Sequence, residues 1–426
     1  GVPEYVGFVG VAGIWMYAGP AVLSSFIVMP FALRMRKLFP QGLTYSEYFI
    51  KRFNKRAHLA VIFIILYTMV LGGVIQLYVG GTVIGGLTGI DPTIVMALLM
   101  AVIGIYILLG GLWGSMTTDF VQFISAIVLT LVFAPLLVFE VGGPSVVYQD
   151  MVTNLGDQSS TFLSMANFAP IEDFFLPYAL GLGVWGVVSL STWQRIFAVR
   201  RDKTTRFLTV GGIGVFSTIA MYSLIGFVGL AALPEALALL PDWATIAFLL
   251  VALMVLGSST DSYLTAIASL FSRDIYYRQF DSDADDQSQL RVARIASLAF
   301  AAIIFLATEF ALQSSVTFIQ LLLIGGIGST ALVGPFALSL FWSRTSTTGF
   351  ITGIVVSQIV TAALLVVSFE VYAIPALPAL KLWEIMLVGH LASTSLAGVI
   401  SAAAPDDFDF DGVASERAVT DGGENS

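Results

Sequence analysis

Residues 243–271 read WATIAFLLVALMVLGSSTDSYLTAIASLF, and this stretch decides the fold. Its first half is almost pure hydrocarbon, and as helix the whole runs about 43 Å, more than the roughly 30 Å of a bilayer's apolar layer. The second half changes character. Ser258, Asp261, Ser262, Thr265, Ser269 and, just beyond, Ser272 recur at spacings of three and four. They form one polar stripe on a helix whose other faces are apolar. A stripe like this is costly against lipid, so it turns to a bundle interior or a wet cavity. Hydroxyls alone are ordinary glue between helices. A carboxylate at membrane depth is expensive enough to mark function, and Asp261 tips the reading that way.

Outward from this stretch the pattern repeats. Hydrophobic residues are 57% and charged residues 11% of the chain, with a mean hydropathy of +0.91. A soluble protein of this length needs far more charge on its surface. Twelve apolar segments lie near 1–14, 15–38, 57–86, 91–111, 117–142, 172–193, 204–232, 243–271, 292–311, 315–341, 347–370 and 378–403. The first is short and reads as the outer part of a cut segment. The chain begins with Gly and turns apolar at once, which suggests a truncated N-terminus. Residues 39–56 and 272–291 read as polar loops, 143–171 as a longer loop, and 405–426 as a disordered acidic tail. The expected class is an all-α, polytopic membrane protein with the lipid bilayer as its solvent.

Charge gives the orientation. With strict alternation, every Lys and Arg except Lys381 falls on one face, among them Arg34, Arg36, Lys37, Arg52, Arg195, Arg273, Arg344 and Arg417. The positive-inside rule makes that face cytoplasmic and puts the C-terminus there, in a multi-pass protein of the cell membrane. The net charge of -9 sits in the tail and in Asp281–Asp286, which disfavours nucleic-acid binding. There is no cysteine, so disulfides and thiolate metal sites are excluded, and His58 and His390 are too far apart to suggest a metal centre. No phosphate-binding glycine loop, His–carboxylate cluster or paired acids mark an enzyme. No repeated selectivity sequence marks a pore.

Two further signals point to a carrier. Gly110-Gly111, Thr118-Asp119 and Gln122 lie where the fourth segment ends and the fifth begins. Thr118 and Asp119 suit a helix start, as cap and as charge on the positive end; the functional reading puts Asp119 beside a cation's route. Gly7, Gly10 and Gly13 punctuate the first segment, and Gly181, Gly183 and Gly186 the sixth. These segments open two runs of five that enter the membrane from opposite sides, and glycine-interrupted helices at matching places in inverted repeats point to a midplane site.

These residues resemble the sodium:solute symporter family. The resemblance is carried in order by Gly7-Phe8-Val9-Gly10, by Thr44-Tyr45-Ser46-Glu47-Tyr48 with Arg52-Phe53, and by Tyr106…Gly110-Gly111…Thr118-Asp119…Gln122. Gln194-Arg195, Ser258-Ser259-Thr260-Asp261-Ser262 with Asp274-Ile275-Tyr276, and Phe341-Trp342-Ser343-Arg344 with Gly349 and Gly353 continue it. Ser46 stands where the family usually has proline. The resemblance implies a leucine-transporter-type core of two inverted five-helix repeats, 1–142 and 172–343, with two additional helices in 344–404. It implies sodium-coupled symport of a small solute, with no cofactor beyond sodium as coupling ion. It implies sodium ligands at Ser258, Ser259 and the Val255 carbonyl, and an ion path past Asp119 and Asp261. The ligands from the first core helix belong at or before Gly1. Solute contacts are expected from Glu4, Tyr5, Gln76, Trp185, Ser189 and Gln320, with ordinary packing as the competing role of the aromatic residues. Proton-coupled or uncoupled transport, with Asp261 as carrier, and a non-transporting sensor of the same fold are the alternatives.

Overall fold

The computed structural model describes residues 2–38, 45–225, 241–314, 316–369 and 379–410. Within them every regular element is helical. The helices are α1 (Val2–Val9), α2 (Ala12–Leu38), α3 (Glu47–Arg52), α4 (Lys55–Thr88), α5 (Pro92–Glu140), α6 (Pro144–Leu155), α7 (Ser159–Phe162), α8 (Leu176–Gly181) and α9 (Trp185–Val188). They continue as α10 (Leu190–Ala198), α11 (Thr204–Ile225), α12 (Asp242–Ser269), α13 (Asp286–Gln313), α14 (Phe318–Gly325), α15 (Ile327–Phe341), α16 (Thr347–Ser368) and α17 (Leu382–Ala403). Among the described residues, nine helices are long and apolar enough to cross a membrane, or ten if the bent pair Leu131–Glu140 and Pro144–Phe162 counts as one span.

Several boundaries differ from those read in the sequence, each for a local reason. The fourth and fifth segments form one unbroken helix, α5, about 73 Å long if straight. Gly110 has open space around it, and a glycine without a neighbouring proline weakens a helix by only about 1 kcal/mol without interrupting its hydrogen bonds. The loop expected at 143–171 carries α6 and α7, whose Val147, Met151 and Phe162 bury one small apolar cluster. The polar loop at 39–56 contains α3, and residues 39–44, with Thr44 of the sequence motif, lie outside the described residues. The end of the seventh segment and the tail beyond Phe410 lie outside them too. Ala404–Phe410 is described; most of it is exposed, and it touches the protein through Asp406, Phe408 and Phe410.

The glycine-punctuated segments are broken where the sequence is weak. Gly10 takes φ +91°, a left-handed conformation that suits glycine, and separates α1 from α2. The sixth segment is a chain of short pieces: a π-helical turn at Ile171–Phe175, then α8, a 3-10 turn at Leu182–Val184, α9, and α10 after Ser189. The tenth segment breaks at Gly326, between α14 and α15. There the backbones of Gly181 and Gly326 meet: a Cβ built on Gly326 would lie 2.6 Å from the Gly181 Cα.

The chain packs as two compact units, each drawn from both expected repeats. The first comprises Gly1–Ala21, Met69–Phe175 and Ile213–Leu322; the second comprises Val22–Thr68, Leu176–Gly212 and Leu323–Ser426. In the first, α5 packs along α12, with Phe133, Leu137, Ala244 and Phe248 at the buried centre of the contact. In the second, the Tyr45, Phe49, Trp193 and Phe336 rings interlock; Tyr45 stacks on Trp193 at 5.2 Å and Phe49 meets Phe336 at 5.1 Å. The Thr-Tyr-Ser-Glu-Tyr motif therefore supplies core: Tyr45 and Tyr48 are fully buried, and their hydroxyls donate to the carbonyls of Val188 and Ser339.

Candidate functional site

The polar stripe of α12 lies inward. Asp261 is 0% exposed, and Ser262, Thr265 and Ser272 are buried with it. The apolar run before Gly257 lets the helix form without local competition, and the spacing puts Ser258 and Asp261 on the face that meets α5, whereas Ser272, beyond the end of α12, donates to the Gln289 carbonyl of α13 at 2.9 Å.

Two carboxylates organise this face. Asp261 accepts hydrogen bonds from the Tyr106 hydroxyl at 2.7 Å and the Ser115 hydroxyl at 2.9 Å, while its neighbour Ser262, 3.1 Å away, donates to the Ser258 carbonyl at 2.7 Å. Thr118 stands at 3.5 Å from the same carboxylate but spends its proton on the Ser115 and Gly114 carbonyls. Asp119 accepts from the Ser258 hydroxyl. Hydrogen bonds to a charged acceptor are roughly twice as strong as neutral ones, so this cluster ties α5 to α12. It also concentrates negative charge among oxygen donors at a depth where water is scarce. Two nearby carboxylates repel, and a bound cation or a shared proton relieves that repulsion.

The donor set suits a hard cation. Ser258 gives its proton to Asp119, which leaves its own oxygen lone pairs available. Ser259 is half-buried beside it, and the Val255 carbonyl lies one turn earlier. Hydroxyl and carbonyl oxygens are the ligands that alkali and alkaline-earth ions prefer over softer nitrogen and sulfur. Among the described residues there is no cluster of His, Cys, Asp and Glu able to hold a transition metal. The half of the expected site at or before Gly1 lies outside the described residues.

A cavity of about 420 Å³ adjoins the cluster, lined by Ile84, Leu99, Ile103, Leu253 and Gly257, with Tyr106 and Gln122 as its polar groups. Gln122 Oε1 is buried and has no hydrogen-bond partner among the described residues. Sequence reasoning singled out Gln122 and named Tyr106 only as part of a motif. It missed Ser115, whose signal was its position one turn before Asp119 on the same helix.

The expected solute-contacting residues divide between the units. In the first, Tyr5 is buried with its ring stacked on Phe174 at 3.8 Å, and Gln76 is half-buried on α4. Gln320 accepts from the Thr317 amide at 2.9 Å, at the start of α14. The Glu4 side chain lies outside the described residues. In the second unit, Trp185 is half-buried at the start of α9, and Ser189 caps α10 by accepting from the Thr192 amide. Tyr5, Ser189 and Gln320 thus already hold local structural bonds.

Known proteins resemble most of this chain. The profile described as "Sodium:solute symporter family" matches residues 1–238 and 228–357. The urea-proton symporter DUR3 of Oryza sativa subsp. japonica is 24% identical over 92% of this chain and 60% of its own length. A urea active transporter of Saccharomyces cerevisiae is 24% identical over 68% of this chain and 44% of its own length. The chain thus spans 60% and 44% of the lengths of these two relatives. Among solved structures, a Na⁺-coupled sialic acid symporter in a substrate-bound outward-open state superimposes with a TM-score of 0.69 at 18% identity, covering 96% of this chain and 90% of the other. The all-α fold is thus of the leucine-transporter type, its relatives are transporters and not enzymes, and the chain belongs to the sodium:solute symporter family.

Proposed function

We propose that the chain carries the core of a secondary symporter that takes a small organic solute into the cell with sodium, by alternating access. The observation that carries this is the Ser258–Asp119 hydrogen bond beside the Asp261 cluster. It orients a hydroxyl oxygen toward a cation and sets a carboxylate behind it. Ser258, Ser259 and the Val255 carbonyl hold sodium, which supplies the coupling free energy when it favours the outward-open state over the inward-open one. Asp119 and Asp261 receive the ion as it leaves toward the cytoplasmic face. The repeats 1–142 and 172–343 carry the rocking motion around this site, with the helices in 344–404 outside it and the C-terminus in the cytoplasm.

The solute is a small neutral polar molecule, and the two urea-transporting relatives make urea the first candidate. Gln76 is the best placed of the expected contacts to meet it, because its half-buried amide can both donate and accept. Proton coupling is the second reading. It is favoured by the buried Asp261 carboxylate and by the relative named as a urea-proton symporter.

Uptake into proteoliposomes separates these readings. Labelled urea, proline and glucose are offered under an inward sodium gradient, under an inward proton gradient without sodium, or under neither. Sodium-driven uptake that disappears in the Ser258→Ala/Ser259→Ala variant is expected. Uptake driven by protons alone and lost in Asp261→Asn would replace sodium by the proton. No uptake under any gradient, from a protein that still binds solute, would point to a sensor.

A further inference from the structure

In the described part of the acidic segment after α17, Phe408 and Phe410 are half-buried while Ala404–Asp407 and Asp409 are exposed. Ala404–Phe410 folds back onto a cup built from Arg34 at the end of α2, Arg52 of α3 and the start of α16, all within the second unit. Phe408 covers the Arg52 guanidinium at 4.5 Å from its ring centroid, and Phe410 covers Arg34 at 4.8 Å. The two rings meet edge to face at 5.1 Å. Asp406 accepts from the Thr347 amide at 2.7 Å and the Thr347 hydroxyl at 2.9 Å, at the positive end of α16.

What lies under this segment gives it a role. Arg52 is 4% exposed and donates to the carbonyls of Ser339, Ser343 and Thr345 at 3.3, 3.0 and 2.8 Å. Arg34 donates to the Leu340 carbonyl at 3.3 Å. Both arginines therefore satisfy carbonyls at and after the C-terminal end of α15, where cations are favoured. The Arg52 guanidinium is held between Phe53, at 4.6 Å, and Phe408. Burial pushes this guanidinium below its ordinary pKa, and Tyr48, then Asp406, partly offset that cost. The segment closes the open face of that arrangement with aromatic rings and negative charge, the two chemistries a buried guanidinium accepts.

We propose that residues 406–410 are an internal ligand of this cup: a strap that keeps α3 seated on the end of α15 and acts as a brake on opening at that end. The strap joins positions 34 and 52 to position 347, which the backbone leaves far apart in the chain. Any motion that separates α2 and α3 from α15 and α16 must first break its contacts. The braking role rests on the alternating-access reading, whereas the docking does not.

The test uses the full chain in nanodiscs and compares the parent with Phe408→Ala/Phe410→Ala and with Asp406→Asn. Amide hydrogen exchange is followed by mass spectrometry. Exchange at residues 47–53 and 342–347 is expected to rise at least fivefold in the double variant and less in Asp406→Asn, with residues 144–155 and the thermal midpoint unchanged. Equal exchange at 47–53 in parent and double variant would overturn the docking role. In proteoliposomes, the initial uptake rate of the double variant is expected to rise at least twofold. Faster exchange with an unchanged or lower rate would overturn the brake. A parent without any uptake would count against the transport reading, while the exchange result would still decide the strap.

Discussion

Replacing Ser258 by alanine tests the proposed cation site most directly, because one oxygen atom is asked to do two things. It donates to Asp119, and in the proposed site its lone pairs would also ligate sodium. Alanine removes both and leaves the helix intact, since alanine is the better helix former. Hydrogen bonds between transmembrane helices average about 0.6 kcal/mol and reach about 1.7. Bonds to charged groups in soluble proteins are worth about 1.5–3 kcal/mol. A combined loss of about 1–2 kcal/mol in sodium binding is therefore expected, a five- to thirtyfold rise in half-activating sodium. The assay is the initial rate of solute uptake against external sodium in proteoliposomes, with choline keeping ionic strength constant. Ser258→Thr, which keeps the hydroxyl, is expected to stay within about threefold of the parent. A half-activating concentration for Ser258→Ala within twofold of the parent, at equal maximal rate, would refute the assignment of this oxygen to the ion.

Two stability predictions bear on the scaffold. Gly326→Ala puts a Cβ 2.6 Å from the Gly181 Cα, a backbone atom that cannot swing aside, and is expected to cost about 1–3 kcal/mol in a detergent unfolding experiment. Asp285 caps α13 by accepting from the Ser288 amide at 2.9 Å, and the Ser288 hydrogen bonds hold its carboxyl below the usual carboxylate range. A depressed folded-state pKa contributes stability above the unfolded value, and that contribution is lost as pH falls through the folded one. Asp285→Ala is therefore expected to lower the thermal midpoint at neutral pH, with the gap to the parent narrowing on acidification below about pH 4. A gap that widens on acidification would contradict the capping role.

Much of this protein was legible in the order of its residues. Hydrocarbon runs longer than a bilayer is thick admit only helices in lipid, so the class followed from composition and length. The stripe Ser258–Asp261–Ser262–Thr265 fixed which face of α12 turns inward, because side-chain direction along a helix repeats every 3.6 residues. Among the glycines of the first and sixth segments, Gly10, Gly181 and Gly183 stand at breaks, while Gly7, Gly13 and Gly186 lie inside helices. Gly110 showed the limit of that inference: a glycine permits a break, and only packing decides whether one occurs.

Partners across helices were not legible. Nothing in the sequence says that Tyr106 and Ser115 close on Asp261, or that Ser258 meets Asp119, because these pairs are 139 to 155 residues apart and their register depends on how α5 packs against α12. The same holds for Phe408 and Arg52: nothing in the sequence says that this ring covers a buried guanidinium. Period and hydropathy are properties of one segment and can be read alone. A contact between distant segments is a property of their packing, and it exists only once the helices have chosen their neighbours.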